Sequence, residues 1–184
     1  MITRRGMMTT AIGGAALLST AARAQSWKDK FPELSLGWVP AENASGLSDR
    51  MQPFLAYLTK EIGVKCNLRI AQDYAAVIEG QRAGNVHIAS YGAASFARAR
   101  LTGVKTEAFA TDQNKDGTTG YYSVFFVKNE SPFKSIEDLK GKTLALVDPN
   151  STSGNNVPRY ELKKKEIIAE NYFCLLYTSP SPRD

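Results

Sequence analysis

Asp148-Pro149-Asn150-Ser151-Thr152-Ser153-Gly154 follows the apolar run Thr143 to Val147 and precedes a stretch of helical character. A strand, a tight turn and a helix start in immediate succession form the unit from which α/β sheets are built. Pro149 and Asn150 favour the turn, Ser and Thr are preferred at helix starts, and Gly154 lets another group approach the backbone closely. Such a helix start carries unpaired N–H groups and a partial positive charge, here beside three hydroxyls. The run therefore has two readings: a capped helix that binds nothing, or a cradle for a phosphate-like anion.

The same alternation recurs along the chain. Leu34 to Val39 reads as a strand, and Leu47 to Ile62 places Met51, Phe54, Leu55, Leu58 and Ile62 on one helical face, with Gly63 as its stop. Val64 to Ala71 is a second strand, and Asp73 is the N-cap expected for a helix through about Ala83. Val86 to Ser90 is a third strand, Gly92 to Leu101 a short helix, and Val104 to Thr111 and Tyr121 to Val127 two further strands. Ser135 to Leu139 starts with a capping pattern, and the helix after Gly154 accepts Pro158 in its first turn and runs to about Ala169 with Lys163-Lys164-Lys165 facing solvent. This order predicts an α/β fold with a mostly parallel sheet. Asp112 to Gly117 is a polar turn whose spacing lacks the terminal glutamate of a calcium loop.

Both ends are set apart. Residues 1–24 read as an export signal: Arg4-Arg5, a modest apolar run from Ala11 to Leu18, and Ala22-Arg23-Ala24 as the cleavage site. Thr3-Arg4-Arg5-Gly6-Met7-Met8 resembles a twin-arginine motif, with the ordinary secretory route as the alternative, and the apolar run is short of the about 20 residues that span a bilayer. Residues 174–184 look like a translated sequencing adapter, so the native sequence is expected to run past Phe173 in another form. Setting both ends aside leaves 19 basic and 17 acidic residues, and the formal charge falls from +5 to +2. That removes the electrostatic case for nucleic acid. Cys66 is then a lone cysteine in an apolar strand, unable to form a disulfide or a cysteine-based metal site.

Four separated blocks carry a family resemblance: Asp73-Tyr74, Ser90-Tyr91-Gly92, Gly120-Tyr121-Tyr122-Ser123, and Asp148 through Gly154. With the stretch Ser135 to Lys142 they resemble the periplasmic phosphonate/phosphite/phosphate-binding proteins of ABC importers, the PhnD-like family, from about Leu34 to Phe173. The resemblance implies a two-lobed type II periplasmic binding protein fold: residues 25–127 as a nearly complete first lobe with a crossing strand, residues 128–173 as the start of a truncated second. It implies that Tyr74 and Tyr121 donate phenolic hydrogen bonds to an oxyanion, that Ser151, Thr152 and Ser153 donate from the second lobe, and that Tyr91 stands at the cleft edge. It further implies a periplasmic protein that delivers a phosphonate, phosphite or phosphate to an inner-membrane permease, with no cofactor, no metal and no stable membrane span after signal removal.

The residues themselves are compatible with this geometry, because Tyr74, Tyr91 and Ser151 to Ser153 all follow strands, where open α/β sheets bind ligands. Two other functions can be formulated. A sensory module would couple the same lobes to a receptor. A serine-dependent enzyme would use Ser151 or Ser153, yet the chain has no Gly-x-Ser-x-Gly elbow and one histidine, His87, inside a strand where a satisfied structural role is expected.

Overall fold

The computed structural model describes residues 26–39 and 44–178; the expected export signal lies outside the described residues. A short helix α1 (Trp27–Lys30), closed by a capping box between Ser26 and Asp29, leads into β1 (Glu33–Trp38). Helix α2 (Ala44–Ile62) crosses over to β2 (Lys65–Ile70), which pairs parallel with β1 from Glu33↔Lys65 to Trp38↔Ile70. A parallel pair requires such a crossover, since a hairpin can join only antiparallel strands. Helix α3 (Tyr74–Arg82) then returns the chain to β3 (Ile88–Ala89) on the other side of β1, giving the order β2-β1-β3, and α4 (Ala93–Leu101) follows.

Central β1 is covered on both faces. On one, Leu36 packs with Leu47, Met51 and Leu55 of α2 and with Cys66, flanked by Leu58 and Ile62. The spacing i, i+4, i+8 of the three α2 residues is the helical stripe expected. Phe54 departs from the expected face and is 45% exposed, because it lies at the margin of the stripe that Met51 and Leu55 define. On the other face α3 comes close because β1 carries Gly37: a Cβ there would sit 2.7 Å from Val86 and 3.2 Å from Val77. His87 is part of the sheet's bonding, its Nδ1 accepting the Ser35 N–H at 3.0 Å while its own N–H donates to the Ser35 carbonyl, with Phe31 edge-on to the ring.

The second sheet pairs β4 (Thr143–Leu146) with β5 (Leu175–Thr178), also parallel. Between them come a π-helical turn (Thr152–Asn156), α5 (Val157–Lys164) with Pro158 in its first turn, and α6 (Ala169–Tyr172). Leu144, Leu146, Leu162, Ala169 and Phe173 form the core of this half. One expectation changes here. The helix after Gly154 stops at Lys164 instead of about Ala169: Glu166 takes φ 60°, Ile167 N–H bonds back to the Leu162 carbonyl, and this reversal brings Ala169 and Phe173 onto Leu162. Leu175–Thr178, from the tail set apart in the sequence, occupies the edge beside β4.

The expected strands Val104 to Thr111 and Tyr121 to Val127 are also corrected. Val104 and Thr106 are buried, but neither segment has a ladder, and Tyr122 and Phe126 are 91% and 88% exposed. A strand exists only through its neighbour's hydrogen bonds, and among the described residues no strand lies alongside these segments.

Gly37→Ala is expected to destabilise the first sheet by about 1–3 kcal/mol through overpacking against Val86 and Val77, read as a lower urea midpoint with unchanged slope. Burial pushes the Tyr91 phenol up to about 12, so the folded form keeps a proton that the unfolded chain releases near pH 10. Its contribution is present in full below about pH 10 and is lost as the pH climbs through about 12. Thermal melts should therefore show an alkaline loss of stability that is shallower in Tyr91→Phe.

Candidate functional site

The turn after β4 is built by its own short polar residues. Asp148 accepts the Asn150 N–H at 2.6 Å through its carboxylate and the Ser151 N–H at 2.8 Å through its carbonyl. Ser151 then caps the following turn, its Oγ accepting the Gly154 N–H at 3.2 Å. The loop is fastened to the end of β4 at Val147, whose N–H donates to the Gly154 carbonyl at 2.9 Å and whose carbonyl accepts from Asn155 Nδ2 at 2.7 Å. Gly154 is needed here, because a Cβ would lie 2.5 Å from the Val147 side chain. Asn156 Nδ2 adds bonds to the carbonyls of Pro149 and Ser151. Behind the loop Arg159 donates to Asn155 Oδ1 at 2.9 Å and pairs with Glu170. The bond from Arg159 holds the Glu170 carboxyl below the usual carboxylate range.

The first half of the chain meets this loop at three places. Tyr74 opens α3 directly after its N-cap Asp73, whose carboxylate accepts the Ala76 N–H at 2.7 Å. That cap sets where the phenol projects, beside the Ser151 side chain. Burial raises the Tyr74 pKa; the Ser151 hydroxyl opposes this, and the neighbouring Tyr121 and Asp148 add to it, so the phenol remains a proton donor at neutral pH. At α4, the N–H of Ala94 donates to Thr152 Oγ1 at 2.8 Å. The Tyr121 hydroxyl would be 3.3 Å from a Cβ at Gly92, which places it beside the same contact, and Ser123 Oγ donates to the Ser153 carbonyl at 2.6 Å.

Of the residues singled out in the sequence, Tyr74, Tyr121, Ser151 and Thr152 are brought together, and Ser153 joins through its backbone carbonyl. Tyr91 is placed elsewhere: its hydroxyl donates to Gln81 Oε1 at 3.1 Å and its ring packs against the buried cluster of Ile78, Ala99 and Val104. By sequence, Ser123 is named only within the block Gly120 to Ser123, and Asn155, Asn156 and Arg159 are given no role. Asn155 and Arg159 stand four apart, the spacing at which helical side chains meet, and that was the available signal. The donors in the cluster are hydroxyls and backbone N–H groups at a helical N-terminus, a set that suits an oxyanion. Among the described residues no group of three His, Cys, Asp or Glu side chains could hold a metal ion.

Residues 36–181 match the family model described as "ABC transporter, phosphonate, periplasmic substrate-binding protein". The chain is 36% identical over 160 residues to the phosphonates-binding periplasmic protein of Escherichia coli, covering 85% of this chain and 47% of that one. It is 34% identical over 179 residues to the phosphate-import protein PhnD of Mycolicibacterium smegmatis, covering 91% and 56%. The chain thus spans about half the length of these curated relatives. Among solved structures it is similar to a binding protein component of an ABC phosphonate transporter from Pseudomonas aeruginosa, with 31% identity, a TM-score of 0.74, and 80% and 50% of the two chains covered. PhnD1 of Prochlorococcus marinus, solved in complex with methylphosphonate, shares the fold at a TM-score of 0.62 and 23% identity, covering 82% and 57%. Two parallel α/β units facing each other across a hydroxyl-lined contact, with these likenesses along the chain, make it a two-lobed type II periplasmic binding protein, a member of the family of periplasmic substrate-binding proteins of ABC phosphonate transporters.

Proposed function

We propose that this protein captures a phosphonate, phosphite or phosphate oxyanion between its two lobes and delivers it to an inner-membrane permease as the substrate-binding component of an ABC importer. The observation that carries this reading is the convergence of Tyr74, Tyr121, Ser151 and Thr152, from distant parts of the chain, on one contact between the lobes. The names of the relatives support the ligand class, since they are a phosphonates-binding protein, a phosphate-import protein and a protein solved with methylphosphonate.

Capture needs no bond to be made or broken. Tyr74 and Tyr121 donate from the first lobe, and Ser151, Thr152 and Ser153 donate hydroxyl and backbone hydrogen bonds from the second. Lobe closure by a hinge motion buries the anion between them. Micromolar affinity corresponds to about 8 kcal/mol, which four to six charge-assisted hydrogen bonds of roughly 1.5–3 kcal/mol each supply after association costs. Because donors come from both sides, one lobe alone holds the anion weakly. Tyr91, tied to Gln81 and packed against Ile78, Ala99 and Val104, takes no part in holding the anion. The protein works in the periplasm, reached by the twin-arginine route that residues 3–8 suggest. No helix among the described residues is long and apolar enough to cross a membrane.

Calorimetry with methylphosphonate, phosphite, phosphate and sulfate is expected to show micromolar or tighter binding of at least one phosphorus oxyanion. Sulfate binding as tight as the best of these would overturn the assignment. Ser151→Ala with Thr152→Ala should weaken that binding by about 100-fold, the loss of two charge-assisted hydrogen bonds, with the thermal midpoint changed by only a few degrees. Retained affinity would mean that the two hydroxyls serve only the loop.

A further inference from the structure

Helix α4 begins at Gly92, whose φ of −80° and ψ of 172° are ordinary N-cap geometry and whose position offers no side-chain cap. That backbone conformation is open to any residue, and Ser, Thr, Asp or Asn would normally stand there to accept an N–H of the first turn. Space is what rules them out. A Cβ at Gly92 would lie 2.5 Å from Thr152 Oγ1, 3.2 Å from Thr152 Cβ and 3.3 Å from the Tyr121 hydroxyl. The missing cap arrives from the other lobe, because Thr152 Oγ1 accepts the Ala94 N–H at 2.8 Å, and Ala94 is the second residue of α4. The helix keeps a local bond of another kind, from Ser95 Oγ to the Gly92 carbonyl, and this leaves the Ala94 donor to Thr152.

We propose that α4 is capped across the cleft, with Gly92 vacating the N-cap position so that the Thr152 hydroxyl of the opposite lobe fills it when the lobes meet. The contact has two consequences. It ties completion of α4 in the first lobe to closure, because the Ala94 N–H loses its acceptor when Thr152 withdraws. It also leaves the proton of Thr152 free for a second acceptor. A chain from the Ala94 N–H through the Thr152 hydroxyl to a bound anion transmits the positive end of the α4 dipole to a ligand that α4 itself does not touch. This last consequence rests on the oxyanion reading; the cap itself does not.

The test is amide hydrogen exchange at Ala94, followed by NMR on the intact protein with and without saturating methylphosphonate, the closed form being the one that holds the cap. Thr152→Val keeps the volume and removes the hydroxyl, and exchange at Ala94 should quicken about fivefold, the worth of a typical N-cap. Thr152→Ser should retain the protection. Gly92→Ser in a Thr152→Ala background, where the atom 2.5 Å from a Cβ at Gly92 is gone, supplies a cap from the same helix and should restore it. Equal exchange at Ala94 in the parent and in Thr152→Val would overturn the proposal, as would failure of the double variant to recover protection. Gly92→Ala adds bulk without a cap, and calorimetry with methylphosphonate or phosphate should show affinity reduced about tenfold with the thermal midpoint retained; unchanged affinity would overturn the link between this contact and closure. If the parent binds no oxyanion at all, the ligand reading falls, and the exchange measurement still decides the cap.

Discussion

Val147 receives the loop that follows it at both of its backbone groups, its N–H donating to the Gly154 carbonyl and its carbonyl accepting from Asn155 Nδ2. Everything at the cleft depends on this attachment. A seven-residue turn with three Ser and Thr residues would otherwise sample many conformations, and each hydroxyl would have to be ordered at the moment of binding. Pinned to the end of β4, the turn holds Ser151 against Tyr74 and Thr152 against the start of α4. The π-helical geometry of Thr152–Asn156 follows from the same attachment, and such wide turns are often found at functional sites.

The chemistry of the contact is hydroxyl and dipole rather than cation. Arg159 is engaged with Asn155 and Glu170 behind the loop, so its charge braces the scaffold. The groups that bond across the lobes are hydroxyls, a backbone N–H and a carbonyl, and burial raises the Tyr74 pKa. In the proposed function, hydroxyl donors in a partly buried cleft would surround an anion without the desolvation cost of a buried ion pair. They would also select by geometry, which a point charge does less well.

Much of this was legible before the fold was known, and the failures have a common form. The α2 stripe of Met51, Leu55, Leu58 and Ile62, the Asp73 cap and the strand-turn-helix at Asp148 to Gly154 are local patterns, and local patterns survived. Phe54 was assigned to the core because it falls within the helical periodicity, yet the width of the buried stripe depends on what α2 packs against. The helix end at Lys164 was missed because Glu166 carries no glycine-like signal; the pull of Leu162 on Ala169 and Phe173 sets it. Val104 to Thr111 and Tyr121 to Val127 have strand composition without ladders, since composition cannot supply a neighbour.

The sequence alone determined the class of the fold and the types of residue at the cleft, because alternating periodicities and capping residues act over a few positions. It also held every hydroxyl that the proposed function uses. Only the tertiary structure decided which hydroxyls meet. Tyr91 and Tyr121 are equal as letters, but one is tied to Gln81 inside the first lobe and the other stands beside Thr152. Gly92 reads in the sequence as an ordinary helix start until Thr152, sixty residues later, is found where its side chain would be. That contact joins segments remote in sequence, and no local propensity encodes it.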